Sequence, residues 1–200
     1  MKKNILILST ITAAVLFAGC GNSSKNVAKT DNNKAQKEIK MKAKQAIMTV
    51  GGTLKKTMGA KMKEGGPSMA AEFCSNSASK LAQDASKNLE KGVTVRRITS
   101  KPRDSKNMAT DEQLEVLKDI EAKMKQGKMP KMVVKQISKN HYQVYKPFKV
   151  GDKCVICHGT KETRDENAYK IILEKYPNDK AVGYKVGDLR GAFLVDIINE

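Results

Sequence analysis

Residues 154–158 read Cys154-Val155-Ile156-Cys157-His158. No other stretch limits so sharply what the chain can become. Two thiols separated by two residues reach the two vinyl groups of a haem and form thioethers, and the histidine that follows is delivered to the iron as proximal ligand. The pattern is that of c-type haem attachment. A Cys-x-x-Cys pair also serves as a redox dithiol or as half of a zinc site. A zinc ribbon needs a second such pair, and the sequence has none. A thioredoxin-like dithiol belongs in a βαβ context, which the pattern of elements does not supply. One covalent haem c, held by Cys154, Cys157 and His158, is therefore the expected cofactor.

The start of the chain reads as an export signal. Met1-Lys2-Lys3 is basic, and Ile5 to Phe17 is an apolar run that ends in Ala18-Gly19-Cys20. The run is too short and wrongly flanked for a membrane-spanning helix. It is similar to a bacterial lipoprotein signal, in which the first mature residue is a cysteine that becomes acylated, although Phe17 stands where Leu is usual. The alternative is ordinary secretion with cleavage nearby. The expected organisation is a signal peptide over 1–19, a polar tether over 20–33 and one domain over 34–200. Acyl chains on Cys20 would hold the protein to the periplasmic side of a bacterial membrane without a spanning segment. Export agrees with the haem motif, because bacterial covalent haem attachment takes place outside the cytoplasm.

The cysteines are Cys20, Cys74, Cys154 and Cys157, and the histidines are His141 and His158. With Cys20 acylated and the motif pair in thioethers, Cys74 has no partner in the chain. A six-coordinate haem would take its second axial ligand from Cys74, His141 or a methionine. Ala70, Cys74, Ala78, Leu81 and Ala85 share one helical face, so Cys74 is expected to point inward among small residues. That suits a flat ligand, and equally a buried cysteine in a tight helix pair.

The rest of the chain reads as mixed structure. Ile39, Ala43, Ala46, Ile47, Val50, Leu54, Met58 and Met62 form one face of a helix over 34–63, with Gly51-Gly52 open to a close backbone contact. Its methionines are expected to pack in the core. Gly65-Gly66 breaks the helix, Pro67 suits the first turn of the next, and Gly92 ends that one near Lys91. Val93 to Thr99 reads as a strand. Thr110-x-x-Gln113 is a capping-box start for a helix with Leu114, Leu117, Ile120 and Met124 inward. Met132 to Ser138 and His141 to Lys149 form a hairpin around Lys139-Asn140, leading directly into the haem motif. A short helix over 166–176, a glycine-rich turn over 183–191 and a strand over 192–198, with Phe193, Val195 and Ile197 on one face, complete the chain. The fold class is α+β with an antiparallel sheet, unlike an all-helical cytochrome c.

With these elements in place, the chain resembles the PAS-like c-type haem-binding proteins. The matching stretches are Ala71-Glu72-Phe73-Cys74, Val95-Arg96-Arg97-Ile98-Thr99-Ser100-Lys101-Pro102-Arg103, Cys154 to Gly159, Tyr176-Pro177 with Asp179, Ala181 and Gly183-Tyr184, and Gly187-Asp188-Leu189-Arg190-Gly191. They extend over about residues 36–197. Asp104-Ser105 departs from the Asn-Pro usual after the arginine. The resemblance implies a PAS-like antiparallel sheet with an N-terminal helical pair packed on it, and haem between helix and sheet or loop. It also implies His/Cys ligation, with Cys74 as distal ligand opposite His158. A thiolate ligand favours ferric iron and a low potential, and two strong ligands leave no open position for oxygen or peroxide chemistry.

Lys and Arg number 38 against 21 Asp and Glu, for a formal net charge of +17. Lysines crowd residues 34–64. Such a run is commonly a solvated helix face, and in a tethered carrier it also suits an acidic redox partner or anionic lipid. Nucleic acid is not the expected partner of an exported chain. Arg96, Arg97 and Arg103 are expected to pair with haem propionates or with carboxylates of the fold. These readings converge on a lipid-anchored, one-electron c-type cytochrome rather than an enzyme, since no paired carboxylates or nucleophile constellation accompany His141 and Tyr142. The alternative is a haem-based redox or small-ligand sensor. With no output domain after the last strand, such a sensor is expected to signal through a separate protein.

Overall fold

The computed structural model describes residues 23–199, with side chains from 34. The expected signal peptide over 1–19, Cys20 as the expected lipidation site and the start of the expected tether lie outside the described residues. Residues 23–33, expected as a polar tether, are helical, because α1 spans Ser23–Ile47. The compact unit that carries the rest of the fold covers Ala35–Glu200. No helix among the described residues is long and apolar enough to cross a membrane.

The long helix does not stop at Ile47. A π-helical turn, Met48–Gly52, carries it into α2, Thr53–Asn76. Such a turn adds a residue and so rotates every later side chain about the axis. The apolar stripe is buried from Ile39 to Val50, but Met58 is exposed. The expectation that these methionines all pack in the core fails at that point. Gly65 and Gly66 break the helix inside α2, and Gly66 takes the left-handed φ of 68° that favours glycine. After Pro67 the chain turns back, so that α3, Ala78–Ser86, packs on the π-helical turn.

Four antiparallel strands follow: β1 (Val93–Ile98), β2 (Val133–Gln136), β3 (His141–Lys149) and β4 (Leu189–Ile198). They lie in the order β1-β4-β3-β2. Val195 pairs with Val95 on one side and Val144 on the other. Both faces of the sheet are covered. Ile39, Ala43, Ala46 and Ile47 of α1 pack on Val93, Val144, Val195 and Ile197. On the opposite face, Val116, Leu117 and Ile120 of α4 (Asp111–Lys125) meet Ile98, Tyr145, Ala192 and Leu194. Full burial of each such aliphatic side chain is worth about 1.5–3 kcal/mol. Thr110 caps α4 with both bonds of the expected capping box.

The expected helical pair on the sheet is correct for its first arm. The second arm finds its main partner elsewhere, on α6 (Glu166–Lys175), where Ala71 meets Ala168 and Ile172. Gly51 explains how close the first arm comes to the sheet. A Cβ there would lie 2.8 Å from the Phe193 ring of β4.

Candidate haem-attachment site

The motif forms a single helical turn, α5 (Val155–His158), after Cys154. So short a turn holds its shape only if its last carbonyls are satisfied from outside. All four are. Val155 O accepts from Gly159 N at 2.8 Å, Ile156 O from Asp165 N at 2.9 Å, and His158 O from Tyr184 N at 3.0 Å. Cys157 O accepts from the Arg103 guanidinium at 2.8 Å. Gly183 N adds a bond to Gly159 O at 2.8 Å. The 181–184 segment thus runs along the motif and fixes it.

The same segment orients the histidine. His158 Nδ1 lies 2.8 Å from Ala181 O. That bond needs the proton on Nδ1, so Nε2 carries the lone pair, and it has no hydrogen-bond partner among the described residues. Burial pushes the imidazole well below its ordinary pKa, with Arg103 and Arg190 adding to the shift, so the ring is neutral as an iron ligand requires. Arg103 Nη2 at 3.3 Å from Nδ1 is a neighbour rather than a donor, because Nδ1 already holds its proton.

Arg103 is the hub. Its Nε donates to Asp179 Oδ2 at 3.1 Å, and the Asp179 side chain is wholly inaccessible. The other carboxylate oxygen, Asp179 Oδ1, accepts from Ala181 N at 2.8 Å. One buried ion pair therefore holds the carbonyl of Cys157 and the turn that carries Ala181. Lys101 Nζ donates to Val182 O at 2.6 Å and sits over the Tyr184 ring, further fixing that turn.

Cys74 comes to the same place from far away in sequence. It is half-buried on the second arm of the helical hairpin, whose neighbour Ala71 lies in one apolar cluster with Ile172, Tyr176 and Cys157. Burial raises the Cys74 thiol pKa, and the charges of Arg97 and Arg103 oppose that rise. Burial also pushes Cys157 up to about 11, and Cys74 is among the charges it feels. Cys74, Cys154 and Cys157 are free thiols. Among the described residues no group of three or more His, Cys, Asp or Glu is gathered as a bare metal ion would require.

His141 is not brought to the motif. It opens β3, whereas the motif follows the far end of that strand, about 26 Å away along an extended chain. Its Nε2 is bonded to Asp196 Oδ1 at 2.9 Å. Of the arginines expected to pair, Arg96 binds Gln113 Oε1 at 2.8 Å and Arg103 binds a fold carboxylate. Asp179, Ala181 and Tyr184 were visible in sequence only as part of a matching stretch. Their roles as supports of Arg103 and His158 depend on contacts that no local pattern announces.

An α+β domain that presents a Cys-x-x-Cys-His turn with its imidazole fixed through Nδ1 defines the class of the chain. Residues 29–197 match the family model described as Tll0287-like, and the chain belongs to that family. Among solved structures, the crystal structure of the cyanobacterial heme-protein Tll0287 matches with a TM-score of 0.56 at 24% identity, over 84% of this chain and 96% of that one. The two share the long N-terminal helix and the four-stranded antiparallel sheet. No curated protein matches the chain.

Proposed function

We propose that this chain binds one c-type haem through Cys154 and Cys157, with His158 Nε2 and Cys74 Sγ as the axial ligands, on a PAS-like sheet. The observation that carries the reading is the free Nε2 of a neutral His158 in a fully bonded motif turn, with the half-buried Cys74 thiol one helical turn from Ala71, which packs in the cluster that includes Cys157. Fold likeness to a haem protein supports it.

Haem, when bound, supplies a one-electron couple. The protein's part is to hold both ligands and set their charge. Ala181 O keeps the proton on Nδ1 and so aims Nε2. Burial raises the Cys74 thiol pKa and the charges of Arg97 and Arg103 oppose that rise, so it is binding to iron that would favour the thiolate. An anionic ligand stabilises the oxidised state, so the potential is low. With His158 and Cys74 both holding the iron, the protein would act as a carrier rather than a catalyst.

The carrier works on the periplasmic side of a bacterial membrane. Residues 1–19 direct export and Cys20 takes the lipid. Lys37, Lys40 and Lys44 are exposed on α1 and suit an acidic redox partner. Steering by such charges fades with salt, because the screening length is about 8 Å at physiological ionic strength.

The test is the protein matured in a c-type haem assembly system. Its intact mass after denaturation should include one haem, and its spectra in both redox states should not respond to carbon monoxide. A mass without haem overturns the proposal. A position that opens to carbon monoxide replaces the carrier with a haem-based sensor acting through a separate protein.

A further inference from the structure

We propose that Arg97 is a carboxylate-binding residue that receives a haem propionate. The inference rests on the haem reading above and goes beyond it by assigning the anionic edge of the cofactor to one side chain.

Three arginines lie between Val95 and Arg103, and two are engaged. Arg96 donates to Gln113 Oε1 of α4. Arg103 is bonded to Asp179 and to Cys157 O. Arg97 is exposed and makes no hydrogen bond or ion pair with another described residue. Strand alternation places it on the face of β1 that carries Val93 and Val95, opposite to Arg96 and Ile98. Its cross-strand partner is Phe193, which presses on Gly51 and lies 5.2 Å from the Phe148 ring, centroid to centroid. Both rings are half-buried. Arg97 therefore stands beside an aromatic patch that the helices cover only in part, within electrostatic reach of Cys74 and His158.

The charge balance calls for an anion. Arg97, Arg103 and Arg190 all act on His158, and Asp179, the carboxylate bonded among them, is already taken by Arg103. Arg190 donates only to Thr99 Oγ1 and Lys101 O, neither of them charged. A haem brings two carboxylates and a flat apolar body. The patch suits the body, and the free guanidinium fork suits a carboxylate, which it binds in two parallel hydrogen bonds.

The test uses haem-loaded wild type, Arg97→Gln and Arg97→Lys. Resonance Raman spectroscopy reads the propionate bending band, and potentiometry reads the ferric/ferrous ratio. Arg97→Gln should shift the bending band and lower the potential, since a positive charge near the haem favours the added electron. Arg97→Lys keeps the charge but not the fork, so it should hold the potential closer to wild type while still shifting the band. If Arg97→Gln fails to accumulate with haem, Arg97→Lys alone carries the comparison through the band. An unchanged band in the variants overturns the inference. So does an unchanged band with an altered iron–sulfur signature, which would assign Arg97 to the thiolate instead. Absence of haem from wild type defeats the haem reading itself, a result distinct from both.

Discussion

Asp179→Ala is the most informative perturbation of the fold beneath the site. The Asp179 side chain is wholly inaccessible and Arg103 is only 12% exposed. Removing one partner of such a pair leaves a buried charge uncompensated, which costs about 3–5 kcal/mol. The variant also frees Ala181 N, whose bond to Oδ1 is 2.8 Å. In a domain of this size each kcal/mol lowers Tm by about 2–4 °C, so the expected fall is roughly 6–20 °C. Asp179→Asn keeps an acceptor for Ala181 N and should recover about 1 kcal/mol of the loss. Urea unfolding followed by circular dichroism measures both. The loaded Asp179→Ala protein should also show a heterogeneous ferric spectrum, because the turn that holds Ala181 O against His158 Nδ1 has lost its anchor. An Asp179→Ala variant within about 0.5 kcal/mol of wild type would refute the claim that this pair organises the motif.

Neighbouring glycines should respond with opposite signs. Gly51→Ala drives a methyl into the Phe193 ring and should destabilise by about 1–3 kcal/mol, whereas Gly52→Ala meets nothing within 4 Å at a helical φ of −63° and should stabilise by about 0.5–1 kcal/mol. Chemical denaturation of the two single variants decides it. Thr110→Ala removes the side-chain half of the α4 capping box, the Oγ1 that accepts from Gln113 N, and should cost about 1 kcal/mol, read from the urea midpoint at constant slope. His141→Ala should leave the absorption spectrum of the loaded protein unchanged while lowering stability modestly, since the ring serves Asp196.

The parts of the fold that were legible in the sequence are those fixed by local chemistry. The Gly65-Gly66 break, the Thr110 capping box, the Lys139-Asn140 hairpin and the Cys-x-x-Cys-His turn each depend on a few adjacent residues, and each occurs where the pattern places it. Parts that depend on distant packing were not legible. The π-helical turn at Met48–Gly52 rotates the apolar stripe, so periodicity alone carried Met58 into the core where it does not belong. The small residues around Cys74 signalled a close neighbour, but only the structure identifies α6 and the motif as that neighbour. Arg103 was recognisable as a residue in need of an anion. Its choice of Asp179 rests on a contact across 76 positions of sequence.

The central claim is that Cys74 and the Cys154–His158 motif converge on one iron. The most direct test is the ferric spectrum and reduction potential of Cys74→Ser, matured with covalent haem. The account predicts loss of the thiolate-ligated ferric spectrum and a higher potential, each 59 mV being about a tenfold change in the one-electron equilibrium, with the haem still attached. A Cys74→Ser protein that keeps the native spectrum and potential, while His141→Ala loses them, would contradict it.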